Sequence, residues 1–237
     1  AFVASEGRVL VDADYSQIEL RLLAAMSGDE GMCRAFTEGT DIHRRTASEV
    51  FGVPFDEVTS EMRSAAKAVN FGIVYGISDF GLARQLGISR KEAARYIELY
   101  FMRYPGVHTY LKGCVERAKQ QGAATTLFGR RREMPELKSS NYNTRSFGER
   151  VAMNMPIQGT AADIIKLAMV RVHNELKARG MKSELILQIH DELIIDAVQE
   201  EADAAAEILK SCMENVINLK VPLLAEVHTG HSWFDTK

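Results

Sequence analysis

The stretch Glu184-Leu185-Ile186-Leu187-Gln188-Ile189-His190-Asp191-Glu192-Leu193-Ile194-Ile195-Asp196-Ala197-Val198 decides the fold. Two apolar, β-branched runs separated by a short polar connector read as an antiparallel hairpin, since parallel strands need a far longer crossover. Upstream, Val9-Leu10-Val11-Asp12-Ala13-Asp14 reads as a short buried strand ending in acid. Downstream, residues 200–217 read as a helix and Leu224 to His228 as a last strand. Between the first strand and the hairpin the periodicity is mostly helical. A helix starts near Ser16, where Ser16-Gln17-Ile18-Glu19 has capping-box spacing, with Ile18, Leu22, Leu23 and Met26 on one face until Gly28 and Gly31 break it. Further helices are predicted over 41–51, 60–75, 90–102, 107–121 and 144–178. Residues 122–142 are mixed: a strand at Ala123–Leu127, a turn at Phe128-Gly129 and an irregular basic stretch from Arg130. This segregation predicts an α+β fold, with an antiparallel sheet built from both chain ends and a largely helical lobe inserted between them.

Composition agrees with a globular chain. Of 237 residues, 46% are hydrophobic and 26% charged, which excludes a disordered tail, a collagen-like repeat and a disulfide scaffold. No stretch approaches 18 uninterrupted apolar residues, so no membrane span is expected. No secretory leader opens the chain, and its first residue is Ala, which suggests a piece of something longer. Cys33, Cys114 and Cys212 form no C-x-x-C pair and read as free thiols. The formal charge of −3 hides a strong segregation: residues 63–95 carry +4, residues 126–150 carry +3 and residues 183–237 carry −8. A weakly acidic protein can hold a polyanion if its cations gather on one surface.

Three constellations carry possible chemistry. Asp14 ends the first strand, while Asp191 and Glu192 sit in the hairpin connector. If these strands are neighbours, the carboxylates converge; held close, they repel unless protonated or bridged by a hard cation such as magnesium. Arg63, Lys67, Phe71 and Tyr75 follow at four-residue steps, placing two cations and two rings along one helix face, as a phosphorylated, ring-bearing ligand would require. Gly72 and Gly76 each cost that helix about 1 kcal/mol relative to Ala, which points to a close approach there. Arg150, Asn154 and Gln158 form a third four-residue stripe, suited to sugar and groove edges, with Pro156 predicting a kink. Taken singly, each pattern is equally an ordinary turn, core face or solvated helix.

Together they resemble the motifs of the family A DNA polymerases. Asp14-Tyr15-Ser16-Gln17-Ile18-Glu19-Leu20-Arg21 is similar to motif A, and Arg63-x-x-x-Lys67-x-x-x-Phe71-Gly72-x-x-Tyr75-Gly76 to motif B. His190-Asp191-Glu192 is similar to motif C, and all three occur in the family's order. The resemblance implies a palm from residues 1–30 and 141–237, with fingers over 31–140; the thumb and any exonuclease domain are expected to be absent. It implies template-directed addition of dNTPs to a primer 3′-hydroxyl on primer–template DNA, by a bacterial-type cytoplasmic monomer, with phage or organelle origin left open.

By that resemblance, Asp14 and Asp191 hold two Mg²⁺ ions with the Tyr15 backbone carbonyl, and Glu192 supports them. Arg63, Lys67 and His43 hold the incoming phosphates, and Lys67 also donates a proton to pyrophosphate. Tyr15, Gln17 and Glu19 border the nucleotide, with Glu19 the gate against ribose unless it serves as the capping partner of Ser16. Phe71 packs near the sugar and Tyr75 near the template, while Arg150, Asn154, Gln158 and His190 contact the duplex. Two other classes stay open: a two-metal nuclease using the same carboxylates, and a fragment that binds without catalysing.

Overall fold

The computed structural model describes residues 2–237, which form two compact units. One contains the residues up to Ile18 together with Ala161–Lys237, and the other is Glu19–Thr160. In chain order, strand β1 (Arg8–Tyr15) is followed by helices α1 (Ile18–Ser27), α2 (Glu30–Thr37), α3 (Ile42–Phe51), α4 (Ser60–Val74), α5 (Asp79–Leu86), α6 (Arg90–Arg103) and α7 (Pro105–Gln121). A small hairpin of β2 (Ala123–Thr125) and β3 (Arg131–Glu133) precedes the long helix α8 (Tyr142–Ala178). The chain then forms β4 (Glu184–Ile189), β5 (Glu192–Val198), α9 (Ala202–Glu214) and β6 (Ala225–Gly230).

The first unit is built on an antiparallel sheet ordered β4-β5-β1-β6. Its two central strands are the apolar ones. Leu10, Val11 and Ala13 of β1 and Leu193, Ile194, Ile195 and Ala197 of β5 are fully buried. The register places Asp14 opposite Glu192 on β5 and opposite Glu226 on β6. Tyr15 anchors α9 to this sheet, its buried phenol donating to Met213 O at 2.7 Å. The sheet therefore comes from both ends of the chain, and the fold is α+β as the hairpin reading predicts.

The second unit is mainly helical, and its helices start where polar caps stand. Asp41 accepts from the His43 and Arg44 N–H groups at the start of α3, and Thr59 accepts from Met62 N at the start of α4. Such caps are each worth about 1 kcal/mol. Ser89 and Glu92 form a reciprocal capping box on α6.

Several local expectations need correcting. Gly28, at φ +64, breaks the first helix after Ser27 as expected, but Gly31 breaks nothing: Asp29 caps Met32 N, and α2 runs straight through Gly31. Helix α5, absent from the periodicity reading, is set by Ser78 at its start and Gly87 at its end. The basic stretch after Arg130 is not irregular, because Arg131–Glu133 pairs with Ala123–Thr125. The helix expected over 200–217 is a 3-10 turn, Gln199–Glu201, followed by α9 ending at Glu214. The final strand extends to Gly230 rather than His228. Helix α8 continues through Pro156, beginning two residues earlier than predicted. Among the described residues, no helix is long and apolar enough to cross a membrane. All three cysteines are free thiols.

Candidate functional site

The hairpin and β1 bring the predicted acids together at one end of the sheet. Asp14 and Glu192 are cross-strand partners, and Tyr15 N donates to Asp191 O at 3.2 Å, tying the end of β1 to the hairpin turn. The turn itself is tight: His190 has φ +50, and its carbonyl accepts from Gln188 Nε2 at 2.7 Å. Asp14 opens to solvent, yet its pKa is pushed up to about 6. Desolvation by the surrounding protein is the largest cause, followed by the negative charges of Asp191 and Glu192; Lys237 works against them. A carboxylate crowded in this way gains from a nearby cation.

A further acid lies behind them. Asp12 is buried at 2% exposure, with Oδ2 2.8 Å from Thr236 Oγ1 and 3.1 Å from Lys237 Nζ. Burial pushes its carboxyl up despite those two hydrogen bonds. Glu192 is also buried; Trp233 Nε1 donates to its Oε1, and Lys237 Nζ lies 2.7 Å from its Oε2. Burial disfavours the Lys237 ammonium, but its bonds to Glu192 and Asp12 hold its pKa above the ordinary lysine value. Asp12, Trp233 and Lys237 were not anticipated from sequence. Only the two-residue spacing of Asp12 and Asp14 along a strand hinted that they share a face. Among the described residues, no group of three or more His, Cys, Asp or Glu side chains is arranged to hold a metal ion. Two carboxylates and a backbone carbonyl fall below that number. The Tyr15 side chain faces the core, which leaves its backbone as the part able to meet a ligand.

In the second unit, α4 carries the cation–aromatic stripe. Lys67 is exposed and makes no hydrogen bond or ion pair with the described residues, whereas Arg63 Nε is 2.7 Å from Asp41 Oδ2. Burial alone would raise the Asp41 pKa, but the Arg63 hydrogen bond and the backbone N–H groups of Arg44 and His43 outweigh it and hold the carboxyl below its ordinary value. His43 is 2% exposed, and its Nδ1 lies 3.0 Å from Asn70 Nδ2, an amide donor, which assigns the ring proton to Nε2. Its pKa falls to about 4, first through desolvation and then through the positive charges of Arg63 and Lys67, against the pull of Asp41. The ring lies 5.8 Å from that of Phe71.

Tyr75 closes α4, and its phenol donates to Glu19 Oε2 at 2.8 Å. Two residues 56 apart in sequence are thus in contact, and this carboxylate oxygen of Glu19 is engaged by Tyr75. Gln17 has φ +55, which turns the chain from β1 into α1. A cleft of about 380 Å³ runs along Phe71, Gly72 and Tyr75, lined also by Ile77, Ser78 and Arg150. Gly76, at φ +66, lies just beyond α4 and costs it nothing, and the close approach implied by Gly72 and Gly76 is to the protein's own side chains. A Cβ on Gly72 would lie 2.7 Å from Ile77 Cγ2, and one on Gly76 would lie 2.8 Å from Met153 Cε. On α8, Arg150 Nη1 donates to Ser146 Oγ at 3.1 Å, Asn154 Nδ2 donates to Val74 O at 3.4 Å, and Gln158 is exposed. Thr160 donates its hydroxyl to the Pro156 carbonyl within the same helix.

This arrangement, an acidic sheet end in one unit and a cation–aromatic helix in the other, coincides with a known family. The family model for DNA polymerase family A matches residues 1–235. The chain belongs to DNA polymerase family A. It is 58% identical over 236 residues to the DNA polymerase I of Caldicellulosiruptor bescii, covering 100% of this chain and 28% of that protein. With the Bacillus subtilis DNA polymerase I it shares 54% identity over 238 residues, covering 100% of this chain and 27% of the relative. The chain thus spans little more than a quarter of these relatives' length. Among solved structures, the POL domain of Pol1 from M. smegmatis, in complex with DNA primer-template and dNTP, superposes with a TM-score of 0.95 at 46% identity. That match covers 100% of this chain and 42% of the other.

Proposed function

We propose that the chain is the catalytic part of a template-directed DNA polymerase, adding dNTPs to a primer 3′-hydroxyl with release of pyrophosphate. The observation that carries this reading is the gathering of Asp14, Asp191 and Glu192 at one end of the sheet in a family A chain. Primer–template DNA and dNTPs are the partners named for the M. smegmatis structure, and we assign the same classes here. A monomer in a bacterial cytoplasm and the palm and fingers assignments given above belong to the same proposal.

Two Mg²⁺ ions are the proposed cofactor, with Asp14, Asp191 and the Tyr15 carbonyl as ligands. When bound they lower the pKa of the 3′-hydroxyl and offset charge on the triphosphate. The donor set fits, because carboxylate and carbonyl oxygens are hard ligands and Asp14 is already crowded by like charge. The chain's own groups supply the rest. Arg63 and Lys67 bind triphosphate oxygens, and the neutral His43 has only its Nε2–H to offer them. We assign to Lys67, which is exposed and unpaired, the donation of a proton to departing pyrophosphate, a role typically worth about 10²–10⁴ in rate. Phe71 and Glu19 bound the sugar, Tyr75 orders Glu19 and meets the template, and Gln17 lines the nucleotide. Arg150, Asn154, Gln158 and His190 hold the duplex.

The test is primer extension with Mg²⁺ and all four dNTPs, by this chain and by one extended upstream. Asp14→Asn and Asp191→Asn should each reduce extension about a thousandfold or more while leaving the melting temperature within a few degrees of the parent. Full extension by either variant would overturn the assignment of the carboxylates.

A further inference from the structure

We propose that Lys237 is a positioning residue of the carboxylate site: its ammonium is a resident counter-charge that holds Glu192 out of the cation's ligand set, leaving that role to Asp14 and Asp191. This rests on the cation reading of the site given above.

Asp12 and Asp14 are two residues apart on β1, and Glu192 lies directly across from Asp14, so all three carboxylates share one face of the sheet. The cation set among them is Lys237, whose Nζ lies 2.7 Å from Glu192 Oε2 and 3.1 Å from Asp12 Oδ2. Both oxygens of Glu192 are engaged, one by Lys237 and the other by the Trp233 indole N–H. A carboxylate held at both oxygens by donors must break those bonds before it can ligate a metal. Asp14 carries no such clamp and opens to solvent.

The other end of the ammonium is fixed by Asp12, which is too buried to move toward a ligand at the surface. Its Oδ1 has no partner among the described residues, so Lys237 and Thr236 are the groups that compensate it. Thr236 Oγ1 also lies 2.8 Å from Trp233 O, which fixes the short segment carrying both clamp residues. One buried acid thus anchors the lysine, and the lysine in turn restrains the second acid.

The prediction has a sign that a purely structural role does not share. A lysine that only holds the sheet together would, when removed, loosen the site and weaken cation binding. A lysine that competes with the cation would, when removed, tighten it. Mn²⁺ binding, read from the loss of the free-ion electron paramagnetic resonance signal, should be about fivefold tighter in Lys237→Met, as expected for deleting one positive charge within several ångströms. Lys237→Arg should bind Mn²⁺ like the parent, and Glu192→Gln placed in Lys237→Met should remove the gain. If the unpaired Asp12 prevents Lys237→Met from folding, adding Lys237→Met to Asp12→Asn, with Asp12→Asn alone as the reference, carries the same test. Unchanged or weakened Mn²⁺ binding in folded Lys237→Met overturns the proposal. So does a gain that survives Glu192→Gln. Failure of the cation reading looks different: Mn²⁺ binding by the parent that is indifferent to Asp14→Asn and Asp191→Asn.

Discussion

His43 shows what one residue gains from its surroundings. Its ring is buried and neutral, with a folded-state pKa near 4 against an unfolded value of 6.5. As pH falls through this window the unfolded chain takes up the proton first, so stability present above pH 6.5 is lost toward pH 4. The full penalty is about 3 kcal/mol at most. Denaturant unfolding at pH 7 and pH 4.5 should show a smaller acid loss in His43→Gln than in the parent. The Tyr75–Glu19 hydrogen bond makes a second statement at this scale. If Glu19 is the ribose gate, its carboxylate is oriented by the Tyr75 phenol. Glu19→Ala should then raise the ratio of ribonucleotide to deoxynucleotide incorporation, and Tyr75→Phe should raise it by a smaller factor. An unchanged ratio in both would remove Glu19 from the sugar pocket. Neither contact could be read from spacing alone, since 27 residues separate His43 from Asn70 and 56 separate Glu19 from Tyr75.

Elements were legible wherever a local cause fixed them. The hairpin of β4 and β5 followed from two apolar runs and a short connector, and the burial of β1 followed from Val9, Leu10 and Val11. Helices α2 and α5 escaped the periodicity reading because each is only eight residues long. Their signals lay in the caps, Asp29 and Ser78, and for α2 in the short apolar stripe of Met32, Ala35 and Phe36. Gly72 in α4 and Gly76 just beyond it announced a close approach correctly but not its object, which is tertiary. Gly72→Ala gains helix propensity yet drives a methyl toward Ile77, and overpacking of this kind costs about 1–3 kcal/mol. Equilibrium unfolding should show that loss, and Ile77→Ala in the same chain should recover part of it. A Gly72→Ala protein as stable as its parent would mean that Ile77 moves aside freely.

Over the whole molecule, charge is sorted by segment: basic over 63–95 and 126–150, acidic over 183–237. On the proposed reading the basic segments meet DNA phosphates, so affinity for primer–template should fall steeply with salt. Replacing a phosphate-contacting cation should lower the slope of log affinity against log salt by about one. Arg132→Ala and Lys138→Ala, both at exposed positions, are the variants to measure; unaltered slopes would place the duplex elsewhere. The motif acids were visible in the sequence because their spacing is local. The partners of Glu192 were not, because Trp233 and Lys237 arrive from about 40 residues away. That arrival also has an optical consequence. Trp233 is the sole tryptophan, its indole N–H is bonded to Glu192, and the Lys237 ammonium sits 5.6 Å from its ring. The protein therefore contains a single tryptophan fluorophore, bonded to its acidic centre. Its emission should shift when Glu192 is neutralised or Lys237 removed, reporting the state of that centre without any label.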